Sequence, residues 1–158
     1  MKNVIKFIFL FILLITLTGC SENKTYTKKG ISITMPKGFR TKIHENATVY
    51  YENDDVFIIA LKEKFSTLEK IDINESSTIE EYAQMVLENT EFEGDLKTIN
   101  NLTYFIYEYK GTDKNYIYLS TLHKGSDAFW VCNFATEYSN KDKYLPLFIE
   151  WAKTITFE

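Results

Sequence analysis

Cys20 is the residue whose surroundings most clearly suit a chemical reaction. It follows Leu17, Thr18 and Gly19. Thr18 and Gly19 are small enough to lie extended in the groove of a peptidase, and the Cys20 thiol is a nucleophile that can be modified. Cleavage in front of Cys20 would make it the first residue, with a free amine. The chemistry that these four residues allow is proteolytic processing and modification of a thiol.

The segment in front of Cys20 has the composition of an export signal. Residues 1–6 carry two lysines and no acid, and residues 7–17 are almost uniformly apolar. This pattern is typical of a signal peptide and is short for a membrane span, which needs about 20 apolar residues. With Leu17-Thr18-Gly19-Cys20 at its end, the segment resembles the signal peptide and lipobox of bacterial lipoproteins. The resemblance implies removal of residues 1–19 and a Cys20 that anchors the chain on the extracytoplasmic face of the cell membrane.

The charge of the remaining chain limits its partners. Without Lys2 and Lys6, 16 basic residues stand against 22 acidic ones, a net charge of −6. This balance argues against nucleic acid and against anionic headgroups as partners. Two acyl chains are enough for stable attachment to a bilayer. We therefore expect the lipid bilayer as one partner and a membrane or cell-envelope protein complex as a second.

The other reactive side chains favour no catalytic or metal site. His44 and His123 lie in different predicted elements, whereas a zinc site needs three or four convergent ligands. Cys132 alternates with two aromatic residues on a predicted strand, which is typical of a buried, inert thiol. The acid pairs fall in a predicted turn, at a helix start and in a loop: Asp54-Asp55, Glu80-Glu81 and Glu91-Glu93-Asp95. We predict no enzyme activity, no cofactor and no metal.

Periodicity predicts an α+β domain with helices packed on an antiparallel sheet. Residues 20–29 are polar and predict a lipidated N-terminus with a tether, and a single domain follows over residues 30–158. Alternation and turn signals predict strands at residues 30–35, 48–51, 56–62, 96–99, 102–110, 116–123, 128–136 and 154–157. The strand at 56–62 is expected to be central and covered on both faces. A capping box at Thr78 opens a helix for which Gly94 is a plausible end, and a second helix is expected to start near Asp142.

The order of these elements resembles the Mog1/PsbP-like fold. The similar segments are GISITMPKGF, the helix STIEEYAQMVLE, the Asn100-Asn101 turn before TYFIYEY, the strand FWVCNF and the closing TITF. Bacterial lipoproteins that resemble DcrB belong to this group. The resemblance implies an αβα sandwich over residues 30–158 and a non-enzymatic binding or accessory role. It implies no metal-binding or partner-binding residue that can be placed on this chain.

Aromatic residues are concentrated in the predicted meander. They are Tyr104, Tyr107, Tyr109, Tyr116, Tyr118, Phe129 and Trp130. One interpretation is that helices cover one sheet face while tyrosine hydroxyls reach solvent on the other. The alternative is a ligand face for a peptide, lipid or glycan, formed by Tyr104, Tyr107, Tyr109, Tyr116, Tyr118 and Trp130.

Three functions remain open. The first is a lipid-anchored, non-catalytic binding or accessory domain. The second is a small-ligand carrier that uses the aromatic face, which a deep, apolar, solvent-open pocket under the tyrosines would favour and a fully packed face would remove. The third is an enzyme with an unrecognised site, which predicts convergent acidic or histidine side chains with shifted pKa values in one cleft.

Overall fold

The computed structural model describes residues 22–90 and 92–158. The predicted leader and the residues Leu17, Thr18, Gly19 and Cys20 lie outside the described residues. The described strands are β1 (Asn23–Lys28), β2 (Ile31–Pro36), β3 (Arg40–Thr41), β4 (Val49–Glu52), β5 (Val56–Lys64), β6 (Lys97–Ile99), β7 (Leu102–Lys110), β8 (Asn115–Lys124), β9 (Ala128–Glu137) and β10 (Thr156–Phe157). The described helices are α1 (Phe65–Leu68), α2 (Ile79–Glu88) and α3 (Lys141–Ala152), with short 3₁₀ turns at Glu69–Ile71 and Tyr138–Asn140.

The strands form two antiparallel sheets. A seven-stranded sheet has the order β3-β4-β5-β9-β8-β7-β6, and a three-stranded sheet has the order β1-β2-β10. The small sheet and α3 cover one face of the large sheet, while α1 and α2 lie on the other face. The α+β prediction, an antiparallel sheet with helices packed on it, is confirmed.

A hydrophobic core lies on each face of the large sheet. Core 1, under the small sheet and α3, includes Met35, Phe134 and Phe148, each 0% exposed. Core 2, under α1 and α2, includes Tyr82 and Phe129, also 0% exposed. Among the described residues, the members of the two cores lie between positions 26 and 157. The segment that contains them supplies a hydrophobic interior on each face of the large sheet.

Helix α2 begins where the sequence predicts. The Thr78 hydroxyl accepts a hydrogen bond from the Glu81 amide at 3.1 Å, and the Glu81 carboxylate accepts one from the Thr78 amide at 2.8 Å. This reciprocal pair is the predicted capping box. The helix ends at Glu88, where the side chain of Asn89 donates to the Met85 carbonyl. The expected end at Gly94 is therefore wrong.

The Asn100-Asn101 pair makes the predicted tight turn. Both residues have positive φ, 51° and 65°, and Ile99 pairs directly with Leu102 across the hairpin. Two consecutive left-handed residues match the right-handed twist of the flanking strands, and asparagine tolerates this conformation. The turn fixes the register of β7 and hence which of its side chains face α2.

The predicted tether is wrong for six of its residues. Asn23–Lys28 forms β1 and pairs with β2 along its whole length, from Asn23 opposite Pro36 to Lys28 opposite Ile31. Tyr26 is 9% exposed in core 1 and its hydroxyl donates to the Pro36 carbonyl at 3.2 Å. The other side chains of β1 are mostly exposed. The segment therefore has a polar sequence, although its backbone pairs with β2 along its whole length.

A short segment after β5 completes core 2. Phe65 and Leu68 of α1 are buried, and Ile73 beyond the 3₁₀ turn is 9% exposed. Phe65 packs edge-on against Phe129 at 5.2 Å between ring centroids. No turn of helix was predicted here, because the segment is too short for a helical period to be visible.

Candidate functional site

The face of the large sheet that carries α1 and α2 is only partly covered. Side chains alternate between the two faces along a strand, so Phe105, Tyr107 and Tyr109 of β7 point toward α2. Phe105 is 1% exposed under the helix, whereas Tyr107 is half-buried and Tyr109 is 46% exposed. On β5, Val56, Ile58 and Ala60 are buried in core 1, while the alternate residues of this strand are half-buried. The expectation that this strand is covered on both faces is therefore right for the core 1 face and wrong for the face that carries α1 and α2.

The uncovered part of this face is an aromatic band. Its members are Tyr50, Phe57, Phe92, Tyr107, Tyr116 and Tyr118, and each is half-buried. Tyr107 lies between Phe92 and Tyr118 in a stack, with ring centroids 4.4 Å and 4.8 Å away. Phe57 meets Tyr116 and Tyr118 edge-on at 5.7 Å, and Tyr50 stacks on Phe57 at 6.4 Å. Stacked and edge-on pairs hold the rings in fixed positions, so the band crosses the sheet as one continuous surface.

The hydroxyl groups of the band are uncharged donors near neutral pH. Burial raises the pKa of Tyr118 to about 12, with a smaller contribution from neighbouring Tyr116. Burial also raises the pKa of Tyr107, helped by Tyr118. The pKa of Tyr50 is raised by burial and by its hydrogen bond of 3.2 Å to the Glu52 carboxylate. The band therefore combines apolar ring surface with hydroxyl groups that hydrogen-bond without charge.

A cleft of about 280 Å³ adjoins the band where α1 and α2 meet the sheet. Its walls are mainly apolar side chains from the helices and from β5, β7 and β9. The lining residues are Leu61, Glu63, Leu68, Ile71, Met85, Val86, Asn89, Thr90, Phe105, Tyr107, Ser120, Val131 and Asn133. Tyr107 belongs to both the band and the cleft, so the two features form one candidate site.

The ionisable group of the cleft is already engaged. One Glu63 carboxylate oxygen accepts a hydrogen bond from the Tyr82 hydroxyl at 2.5 Å. Burial, and then this carboxylate, raise the pKa of Tyr82. The chemistry that the arrangement offers is apolar contact, ring stacking and neutral hydrogen bonding.

The structure brings together four of the six predicted ligand-face residues. Tyr107, Tyr109, Tyr116 and Tyr118 share the face of the band. The prediction is wrong for the other two, which lie in core 1 on the opposite face: Tyr104 is 6% exposed and Trp130 is 1% exposed. The physical reason is the alternation of side chains along a strand. Tyr104 is an odd number of residues from Tyr107 on β7, and an odd separation places two side chains on opposite faces of the sheet. Phe129, on the face of the band, is fully buried and stacks on Tyr82 at 4.3 Å.

Three members of the band were not predicted. Tyr50 and Phe57 lie on β4 and β5, far in sequence from the meander, and Phe92 follows α2. The alternation of Phe57, Ile59 and Leu61 against Val56, Ile58 and Ala60 is a sequence signal for a second apolar face on β5. No local signal places that face beside Tyr116 and Tyr118.

The histidines and Cys132 lie outside the band. His44 is exposed and stacks on Tyr50 at 5.5 Å. His123 is half-buried on the core 1 face and hydrogen-bonds through Nε2 to the Thr121 hydroxyl at 3.0 Å, and burial lowers its pKa to about 4. The Cys132 thiol is buried, which raises its pKa.

Metal-ligand clusters and membrane-spanning helices are both absent from residues 22–90 and 92–158. No group of three or more histidine, cysteine or acidic side chains there is arranged to hold a metal ion. In the same part of the chain, no helix has the length and apolar character needed to span a membrane.

Comparison with known proteins identifies the fold. No protein-family model and no curated protein sequence matches the chain. Cyanobacterial PsbP (CyanoP) from Synechocystis sp. PCC 6803 is similar in structure with a TM-score of 0.58 and 10% sequence identity, over 90% of this chain and 96% of that one. The Ran-binding protein Mog1p from Saccharomyces cerevisiae has a TM-score of 0.59 and 13% identity, over 87% and 96%.

A larger protein from Bacteroides thetaiotaomicron contains a similar region. Its TM-score is 0.54 with 16% identity, over 85% of this chain and 48% of that one, so this chain spans about half of its length. Identities this low show the fold and not the activity. On this evidence, the chain has the Mog1/PsbP-like fold.

Proposed function

We propose that this protein is a lipoprotein, anchored through Cys20 on the extracytoplasmic face of the membrane, whose domain is a non-catalytic binding module. The observation that carries the binding proposal is the continuous aromatic band on a sheet face that the helices leave uncovered. Exposed apolar surface that is rimmed by polar groups is typical of interaction sites. Rigid aromatic rings with hydroxyl tips suit such a role, because little side-chain freedom is lost on binding.

The proposed anchor lies very close to the domain. Strand β1 begins at Asn23, three residues after Cys20. At no more than about 3.6 Å per residue, the Cα atoms of Cys20 and Asn23 are at most about 11 Å apart. At the end of this strand Lys37 donates its amide to the Glu22 carbonyl and pairs with the Glu22 carboxylate at 2.6 Å. An acylated Cys20 would therefore hold the small sheet close to the bilayer surface.

A crosslinking pull-down from intact membranes tests the binding proposal. We expect the native protein to recover a defined membrane or cell-envelope partner, and the double variant Tyr116→Ala, Tyr118→Ala to recover at least tenfold less. The matched control is Ile99→Ala, an exposed apolar residue (52%) on strand β6 outside the band. Equal recovery by both variants would contradict the proposal. So would turnover of an envelope substrate that is lost on changing one polar residue of the cleft.

The cleft favours a second candidate function, a small-ligand carrier. It is apolar and open to solvent, and it lies beside Tyr107 of the band. These are the features expected of a site that holds a small molecule. The carrier and the binding module are compatible, because the partner would meet the band while the ligand occupies the cleft.

A further inference from the structure

The floor of the cleft carries two polar side chains that face each other. Ser120 of β8 and Asn133 of β9 are directly paired in the sheet register, and both line the cleft. Ser120 is 1% exposed, and Asn133 is half-buried. Within residues 22–90 and 92–158, neither side chain makes a hydrogen bond to another protein group. The floor therefore holds a buried hydroxyl and an amide whose hydrogen-bonding capacity the protein does not use.

The Ser120 hydroxyl opens onto the cleft and has no partner in the described part of the protein. Buried polar groups in proteins nearly always have a partner, and among the described residues the fully sealed exception is the Tyr51 hydroxyl in core 1. The opposite face of the same strand shows the usual solution, because the fully buried Thr121 hydroxyl donates to the Cys132 carbonyl at 3.2 Å. Ser120 lacks such a contact and points into open space. This arrangement indicates that the partner of Ser120 comes from outside the protein.

The walls of the cleft define the rest of the ligand. Apart from the floor they are mostly apolar, and they include Leu61, Met85, Val86, Phe105 and Tyr107. The volume of the cleft is about 280 Å³. If each non-hydrogen atom of a ligand takes about the 30 Å³ of one water molecule, the cleft accommodates a ligand of about ten such atoms. An anion would meet the Glu63 carboxylate, which lines the cleft and accepts a hydrogen bond from the Tyr82 hydroxyl. The cleft thus disfavours an anionic ligand.

We propose that the cleft binds one small, mainly apolar molecule without negative charge, whose single polar group hydrogen-bonds to Ser120 and Asn133. This inference rests on the proposed function, since it names the ligand class of the same binding site. The apolar body fills the space between α2 and the sheet, and Tyr107 contacts it at the edge of the band. The hydroxyl and amide of the floor can donate and accept, so an alcohol or an amide satisfies both.

The test uses three probes with one carbon skeleton and different charge: 4-phenylbutan-1-ol, 4-phenylbutanoate and 4-phenylbutylamine. The protein is the chain from position 20 to 158 with Cys20→Ser, which retains both cores and carries no lipid. This chain contains only two methionines, Met35 in core 1 and Met85 in the cleft. Methyl NMR of labelled methionine therefore reports cleft occupancy at Met85, with Met35 as the internal control.

We expect the alcohol to shift the Met85 signal saturably while Met35 does not move, and the carboxylate to bind at least tenfold more weakly than the alcohol. Ser120→Ala should weaken alcohol binding about tenfold, and Val86→Phe, which fills the cleft, should abolish it. Ser120→Ala should also leave the melting temperature equal or higher, because it removes an unsatisfied hydroxyl. The matched control Thr121→Val should lower the melting temperature, because it removes a hydrogen bond that is made.

Two results would overturn the inference. One is that no probe moves the Met85 signal. The other is that all three probes bind equally and Ser120→Ala binds the alcohol unchanged, which would make the cleft an unselective crevice. Either failure concerns the cleft alone, because the pull-down with Tyr116→Ala, Tyr118→Ala tests the proposed function on residues outside the cleft.

Discussion

Protonation of His123 should destabilise the domain in mildly acidic conditions. The ring lies on the core 1 face, opposite Trp130 in the sheet register and 5.6 Å from the Phe157 ring. It accepts or donates one hydrogen bond with Thr121. The amino group of Lys62 lies 5.6 Å from the ring of Trp130. Burial in these surroundings disfavours the imidazolium and lowers the pKa of His123 from 6.5 to about 4.

The sign and the size of this effect follow from linkage. Between pH 6.5 and pH 4 the unfolded chain binds a proton that the folded chain does not, so stability falls as the pH falls through this window. A lowering of about 2.5 pKa units corresponds to about 3 kcal/mol, of which about 2 kcal/mol is lost between pH 7 and pH 4.5. The half-buried carboxylate of Glu52 and the exposed carboxylates of Asp55 and Asp127 have lowered pKa values, so their stabilising effect is lost as the pH falls through about 4.5 and below. This effect is common to the native chain and to the histidine variants.

Urea unfolding of the lipid-free chain at pH 7 and pH 4.5 measures the effect. The variant His123→Gln keeps a hydrogen-bonding group for Thr121 and carries no titrating ring, so it should lose about 2 kcal/mol less than the native chain between the two pH values. The matched control His44→Gln changes an exposed histidine and should leave the difference as in the native chain. Equal pH dependence in native and His123→Gln proteins would refute the reasoning.

Three further predictions concern stability and reactivity. Thr78→Ala removes the capping box and should lower the unfolding free energy by about 1 kcal/mol, while Thr78→Ser retains it; equal values for the two variants would contradict the role of the cap. Asn101→Val places a branched side chain at φ 65° and should cost about 1–2 kcal/mol in urea unfolding, whereas Asn101→Gly should have a much smaller effect. Burial raises the pKa of the Cys132 thiol, so a colourimetric thiol reagent should modify the lipid-free chain with Cys20→Ser only after unfolding; rapid modification of the folded chain would contradict this placement.

Much of the fold could be predicted because its signals are local. The capping box at Thr78 and the two asparagines at Asn100-Asn101 act through contacts a few residues apart, so they can be recognised in a single sequence. The strands of the meander alternate clearly enough to be assigned. Strand β1 could not be assigned, because its polar composition lacks an alternating apolar pattern, although its backbone pairs with β2 along its whole length.

The candidate site was only partly predictable because it depends on long-range pairing. Tyr107 and Tyr118 are neighbours across a hairpin, and the sequence places them together. Phe57 joins them only because β5 pairs with β9, which puts Ile58 opposite Phe134 in a contact 76 positions apart. The cleft depends in addition on where α2 packs on the sheet. The alternation of side chains along β7 and β9 would by itself have placed Tyr104 and Trp130 on the face opposite to the band.

The most direct test of the central claim is the mass of the N-terminal peptide of the protein extracted from its native membrane. The account predicts a mature chain that begins at Cys20 and carries a diacylglyceryl group on the Cys20 sulfur, and it predicts that Cys20→Ala abolishes this modification while Cys132→Ala does not. A mature N-terminus at another residue, or an unmodified sulfur on Cys20, would contradict the account.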